Sequence, residues 1–171
     1  HGLPVTADLP GVGSNLIDHL LVRVEHACRE PVTLHGLLRP DRTALALIRA
    51  LLFGTGPAAR FPIEAGAYLR SDPALDMPDL QSFFLPALST ATLRLPFAPR
   101  AGTGHGFFAN VYPLRPESRG RITLRSADPR EPPRIEPGYL TANTDLAATL
   151  RGVRLLRTIF AQPAFDRWRG I

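Results

Sequence analysis

Glu64 stands just before the small, apolar run Ala65-Gly66-Ala67-Tyr68-Leu69. A carboxylate at the start of such a strand can line the wall of a substrate cavity, or it can lie exposed and pair with an arginine; periodicity alone favours the exposed role. Phe83, Phe84, Phe107, Phe108 and Tyr112 supply aromatic surface. They fit ordinary core packing better than a designated pocket, although a sheet face lined by aromatics suits either. Gly11-Val12-Gly13-Ser14-Asn15-Leu16 opens like a dinucleotide fingerprint. Leu16 occupies the third glycine position, however, and Asp8-Leu9-Pro10 does not make a core strand, so a Rossmann phosphate loop is excluded. What remains is a glycine turn delivering a short helix whose free amides could face an anion or another domain. His1, His19, His26, His35 and His105 show no zinc spacing, which speaks against a metal site. His19 follows Asp18 directly, and helical neighbours do not face one another, so the two are not a ready dyad; His19 reads as a packing or hydrogen-bonding residue. No G-x-S-x-G elbow occurs. No residue can be assigned a catalytic role from these patterns.

These residues need elements to hold them. Leu20 to Ala27 alternates apolar and polar positions, as a half-buried strand does. Asp41 can cap a helix carrying Leu45, Ile48, Leu51 and Leu52 on what the spacing predicts as a buried stripe, ended at Gly54. Strand-like runs follow at Ala65 to Leu69, Leu80 to Leu85, Gly106 to Tyr112 and Arg121 to Arg125, separated by proline, glycine and aspartate. Pro129, Pro132, Pro133 and Pro137 mark Ser126 to Leu140 as an ordered connection without a central strand or long helix. A second helix is capped by Asn143 or Thr144, turns Leu146, Leu150, Val153, Leu156 and Phe160 inward, and stops at Gln162-Pro163. Strands with segregated helices indicate an α+β layer architecture.

Length and composition set the outer limits. A chain of 171 residues, 44% hydrophobic and 20% charged, is long enough for one core without metals or disulfides. All 20 basic residues are arginine, against 15 acids, for a formal charge of +5. They are spread from Arg23 to Arg169 rather than gathered in a block, which favours a solvated surface over a nucleic-acid arm. The apolar stretch Thr43 to Phe53, interrupted by Arg49, is too short for a transmembrane segment. Cys28, the sole cysteine, excludes an internal disulfide and fits a cytoplasmic setting.

Three phrases change the reading when taken together: Leu9-Pro10-Gly11-Val12-Gly13-Ser14-Asn15-Leu16-Ile17-Asp18-His19, then Glu64-Ala65-Gly66-Ala67-Tyr68-Leu69, then Arg115-Pro116-Glu117-Ser118-Arg119-Gly120-Arg121-Ile122-Thr123-Leu124-Arg125-Ser126-Ala127-Asp128-Pro129-Arg130. In this order and spacing the chain resembles the middle of the glucose-methanol-choline (GMC) oxidoreductases, in their choline dehydrogenase-like branch. Pro132 to Leu140 and the segment around Arg151-Gly152-Val153-Arg154 resemble the same family.

The resemblance implies a flavoprotein with a Rossmann-like FAD domain and a substrate domain made of an antiparallel sheet backed by helices. Residues 1–20 would be the edge of the FAD domain and an interdomain turn-helix. Residues 21–171 would be the substrate-binding domain, truncated at its C-terminal side. The dinucleotide fingerprint and the histidine-bearing catalytic segment of the family are not in the sequence, and His1-Gly2-Leu3-Pro4 looks like entry partway through a family phrase. The expected partners are therefore the FAD-binding and catalytic segments of the same polypeptide, together with a small alcohol. The implied chemistry is hydride transfer from the alcohol carbon to flavin N5; the fragment alone is expected to be inactive and to retain no FAD. Glu64 aligns with a strand that presents a glutamate to the substrate cation in choline-oxidising relatives. Phe83 stands where many relatives carry histidine, which points from choline toward a more apolar alcohol. Asn15, Asp18 and His19 would support the flavin site. The alternatives are a non-redox binding module with the same fold and, further off, an arginine-rich nucleic-acid binder.

Overall fold

The computed structural model describes residue 2, residues 4–92 and residues 104–170. His1 and Leu3 of the opening phrase, and Ile171, lie outside them. Four strands, β1 (Val22–Ala27), β2 (Ala65–Leu69), β3 (Leu80–Leu85) and β4 (Gly106–Pro113), form an antiparallel sheet in the order β1-β4-β3-β2. The helix α2 (Asn143–Phe160) packs across one face, giving the expected α+β arrangement of a sheet backed by helix.

The core is the contact between that face and α2. Val24, Leu80, Phe107, Ala109 and Val111 point from the sheet, and Ala148, Leu156 and Phe160 meet them from the helix. Phe160 sits among aromatic rings, 5.3 Å from Phe107 and 5.1 Å from Phe165 between centroids, in edge-to-face contacts that ring quadrupoles favour. Gly152 permits the close approach: a Cβ there would lie 2.7 Å from Val111 Cγ2 and 3.0 Å from Leu80 Cδ1. This shifts the buried stripe from the expected one. Asp145, Ala148, Thr149, Gly152, Leu156 and Phe160 face inward, while Leu146 and Leu150 are exposed. Small residues let the helix axis come near the sheet, and larger aliphatics at the rim do not fit beneath it. The N-cap is Ala142, one residue before the expected Asn143.

The helix α1 (Pro40–Phe53) begins with proline in its first turn and closes at Gly54, which takes the left-handed conformation (φ 61°) and donates its N–H to Ala50 O, a conformation glycine adopts without a Cβ penalty. Its N-cap is Arg39, with Asp41 inside the first turn. None of its residues is buried; the expected inward stripe is exposed.

Two further strands, β5 (Arg121–Thr123) and β6 (Arg134–Glu136), form a separate ribbon with Ile122 opposite Ile135. β5 is shorter than the alternation predicted, and β6, a three-residue edge strand, lies in the proline-rich connection, where only a central strand or long helix was excluded. Pro132 and Pro133 precede β6 and Pro137 follows it, so no proline removes a donor from the three-residue ladder.

No helix forms at Ser14 to His19. Asn15 has φ 58°, which interrupts helical propagation, and the Ser14 hydroxyl donates to Pro10 O at 3.2 Å instead of capping. Leu16 and Gly120 exchange two backbone hydrogen bonds, 2.9 and 2.8 Å, and Ile122 N–H donates to Gly13 O at 2.7 Å. The glycine turn is thus stitched alongside β5. Among the described residues no helix is long and apolar enough to cross a membrane.

Candidate functional site

Strand alternation sends every second side chain of the sheet away from α2. Register defines a row across that second face: Gly66 of β2, Phe83 of β3, Asn110 of β4 and Arg23 of β1. The flanking rows hold Tyr68, Gln81 and Tyr112 on one side, and Leu85, Phe108 and Glu25 on the other. Glu64 donates its backbone N–H to Phe84 O at 3.1 Å and so continues the line of Gly66 and Tyr68, exposed at the edge of this face. Sequence reading singled out Glu64 and Phe83 separately; the fold brings them to one surface.

Phe83 is half-buried and its ring leans over Gly66, where an added Cβ would sit 3.5 Å from Phe83 Cδ1. The missing side chain leaves room beside the ring. Its centroid is 6.2 Å from that of Tyr112. Burial, and secondarily the neighbouring Tyr68, push the Tyr112 phenol up from its ordinary value, so it stays a neutral hydroxyl. Asn110, buried, accepts the Phe83 backbone N–H at 2.9 Å through its side-chain oxygen, an added tie between the two central strands.

Phe108 carries the other end of the face. The Arg23 guanidinium lies 4.9 Å from its ring centroid, in cation–π range. Beyond it a cleft of about 470 Å³, lined by Leu37, Leu47, Leu85 and Leu88 among others, separates α1 from the sheet. Glu25 accepts the Ser89 backbone N–H at 2.6 Å and holds the segment after β3 beside this cleft.

The three residues expected near a flavin separate. His19 reaches the sheet face: its ring is 4.8 Å from that of Tyr112, and its Nε2 lies 3.2 Å from Leu114 O. Asp18 faces the other way, accepting the Tyr139 hydroxyl and, at 2.9 Å, the His19 backbone N–H. The Tyr139 hydrogen bond foremost, then that amide, hold its carboxyl below the ordinary range. Asp18 contacts His19 through the backbone, so the pair is not an acid–imidazole dyad. Asn15 remains in the turn. Tyr112, named from the sequence only among aromatics that fit core packing or a lined sheet face, joins the site, and so does Asn110, which no sequence pattern singled out. Their signal was the alternation of Phe108, Asn110 and Tyr112 in β4, unreadable until β4 is known to lie beside Phe83. Among the described residues no group of three or more histidine, cysteine or acidic side chains could hold a metal ion.

What the arrangement can do is bind. It offers a recessed aromatic wall with a neutral hydroxyl, and a carboxylate at its rim. No described pair on this face forms a nucleophile with its base.

Residues 116–170 match the family model described as GMC oxidoreductase. Over 99% of the chain, the sequence is 43% identical to an oxygen-dependent choline dehydrogenase of Brucella ovis, of which it covers 30%, and 40% identical to the mitochondrial choline dehydrogenase of Homo sapiens, of which it covers 28%. A formate oxidase of Aspergillus oryzae, solved in a study of its FAD modification, superposes with a TM-score of 0.81 at 22% identity over 99% of the chain and 34% of its own length; that likeness speaks for the fold. The chain spans about three tenths of the curated relatives it matches. The family resemblance and the fold drawn from the sequence are both shown by these matches.

Proposed function

We propose that this chain, a segment of a GMC oxidoreductase, forms the substrate side of an FAD-dependent active site that oxidises an alcohol. In this reading the open sheet face closes over the flavin ring in the whole protein, with the substrate between them. One observation carries it: exposed Glu64 and half-buried Phe83 share the face away from α2 with Asn110 and Tyr112, which are buried behind them, while the opposite face is committed to the core.

The residues suit the ring side of the cofactor. Gly66 opens space beside Phe83, and a flat ring can lie against such a wall. They do not suit its phosphates, because the Gly11 to Gly13 turn runs into the ladder with Gly120 and presents no helix N-terminus. FAD, when bound, supplies the acceptor for the two electrons leaving the alcohol carbon. Phe83 and Tyr112 would exclude water and restrict the alcohol's orientation. The protonated Tyr112 hydroxyl would donate to the substrate oxygen, and Glu64 would stabilise positive charge on the substrate, as in a relative named for choline. With Phe83 in the wall, the preferred alcohol is more apolar than choline.

Residues 1–20 would belong to the flavin side and residues 21–171 to the substrate side. His19 would join them through Tyr112; Asp18 would hold the His19 backbone, and Asn15 would shape the turn. The single thiol, Cys28, supports a cytoplasmic placement.

The test is an absorbance spectrum and alcohol-dependent bleaching on the whole protein and on its Glu64→Gln variant. The expected result is a reducible flavin in both, with the variant losing about tenfold or more in kcat/KM toward a cationic alcohol and little toward a neutral one. A colourless whole protein would overturn the redox reading in favour of a binding module.

A further inference from the structure

The cleft between α1 and the sheet has two kinds of lining. Leu37, Leu47, Leu85, Leu88 and Phe108 wall a space of about 470 Å³ with apolar surface, a size within the range of small-molecule sites. Leu47 is 50% exposed although it lines the cleft, so an apolar body placed there would take aliphatic surface out of water. The walls are tied in place. Leu34 N–H donates to Pro86 O at 2.9 Å and the Thr43 hydroxyl to Leu37 O at 2.5 Å. These bonds fasten the segment after β3, the turn before α1 and α1 itself to one another, and a cleft shaped in advance lowers the ordering cost of binding.

The charged lining is of one sign. Arg23 and Arg60 border the cleft and, among the described residues, no acid does. Neither guanidinium forms an ion pair within the described residues. The Phe108 ring, with its centroid 4.9 Å from Arg23, positions that group without neutralising it, so its N–H donors remain for an anion. The acids on the same face are placed elsewhere: Glu25 is occupied by the Ser89 backbone N–H at 2.6 Å, and Glu64 stands toward β2, outside the lining. Apolar walls with two cations call for a ligand with an apolar body and one anionic end. A carboxylate suits them better than a phosphate dianion, because a single charge costs less to bring beside aliphatic walls, yet it still accepts two parallel hydrogen bonds from a guanidinium.

We propose that this cleft binds a medium-chain aliphatic monocarboxylate, its chain between α1 and Leu85 and its carboxylate on Arg23 and Arg60. A cationic ligand is repelled by both arginines, and a neutral one leaves their charge unanswered. Arg23 shares a row with Phe83 across Asn110, so the site adjoins the proposed substrate wall, yet it is formed by residues of α1 and of the segment after β3 that the wall does not use. It stands without the redox reading.

The test is isothermal titration calorimetry of the whole protein with sodium decanoate, kept below its micelle-forming concentration, and with octanoate, decanamide and acetate as comparison probes. The expected result is saturable decanoate binding. Octanoate should bind about tenfold more weakly for its two missing methylenes, decanamide about tenfold or more weakly for its missing charge, and acetate without measurable heat. Arg23→Gln with Arg60→Gln should weaken decanoate by about tenfold or more and leave decanamide unchanged. Both arginines are exposed, and an unchanged circular dichroism spectrum would show the fold intact. Phe83→Ala should leave decanoate binding as it is. Absence of decanoate binding to the wild-type protein would overturn the proposal, as would equal binding by the folded arginine variant or equal affinity for decanamide. Loss of binding in a folded Phe83→Ala variant would overturn it too, by moving the carboxylate to the substrate wall. A colourless whole protein that binds decanoate would sink the redox reading and leave this one standing.

Discussion

His19 and Tyr112 lie 93 positions apart in sequence, yet their rings stack at 4.8 Å with an interplanar angle of 36°. His19 is reached only through the extended segment that follows the glycine turn. Tyr112 belongs to a central strand and to the open face. Their contact ties the first twenty residues to the wall of the proposed substrate site. Replacing His19 with Ala should cost about 1 kcal/mol of stability, read as a lower denaturation midpoint. In the whole protein the same change should lower flavin content after purification; unchanged content would separate this segment from the flavin.

Asp145 is buried and accepts the backbone N–H groups of Glu117 and Ser118 at 2.9 and 2.8 Å, while Ser118 Oγ accepts the Ala142 N–H at 3.1 Å. It thereby fastens the turn before β5 to the start of α2. Asp145→Ala strands the buried Ser118 donor and the part-buried Glu117 donor and should cost about 1 to 3 kcal/mol, measured by chemical denaturation.

The same carboxylate predicts a pH dependence. Burial raises its pKa, but the hydrogen bonds from Ser118 and Glu117 together outweigh burial and hold it below the ordinary 3.8. A group whose folded pKa is depressed binds more protons when unfolded, so its stabilisation is complete above the unfolded value and fades as pH falls through the folded one. Melting temperature should therefore drop below about pH 4, more steeply in the wild type than in Asp145→Asn.

Gly120 admits no side chain. A Cβ there would press into the carbonyl oxygens of Glu136 and Pro137, both backbone atoms that cannot rotate aside. Gly120→Ala should destabilise by about 1 to 3 kcal/mol and loosen the Leu16–Gly120 ladder. Faster amide exchange at Leu16 and Gly120 would report it.

Phe83 is proposed to set the preferred alcohol. Phe83→Ala enlarges the space above Gly66, and in the whole enzyme it should raise KM for apolar alcohols by about tenfold, the worth of a few lost methylene contacts, with a smaller change for cationic ones. Equal loss for both classes would mean that the ring only supports the sheet.

Much was legible in order along the chain. Alternation located β1 to β4, the spacing and stop signals located both helices, and the phrases from Leu9 to His19 and Arg115 to Arg130 carried the family. These signals are local: a strand's period, a helix's turn, or a glycine demanded by a close approach can be read within a few residues. Gly120 is such a case, lying inside a phrase the sequence already marked.

Tertiary structure decided which side of each element is buried. The stripe of α2 turned toward Ala148 and Gly152, away from Leu146 and Leu150, because the sheet's approach rewards small residues under the helix. The α1 stripe, identical in pattern to a core helix, points outward, since periodicity specifies a face without saying what lies against it. Phe83, Tyr112 and His19 meet, and Glu64 joins their face at its other end, only through strand order and register, which depend on contacts tens of residues apart. The sequence determined most of the elements and the family resemblance; the packing of distant strands determined which side chains share a face.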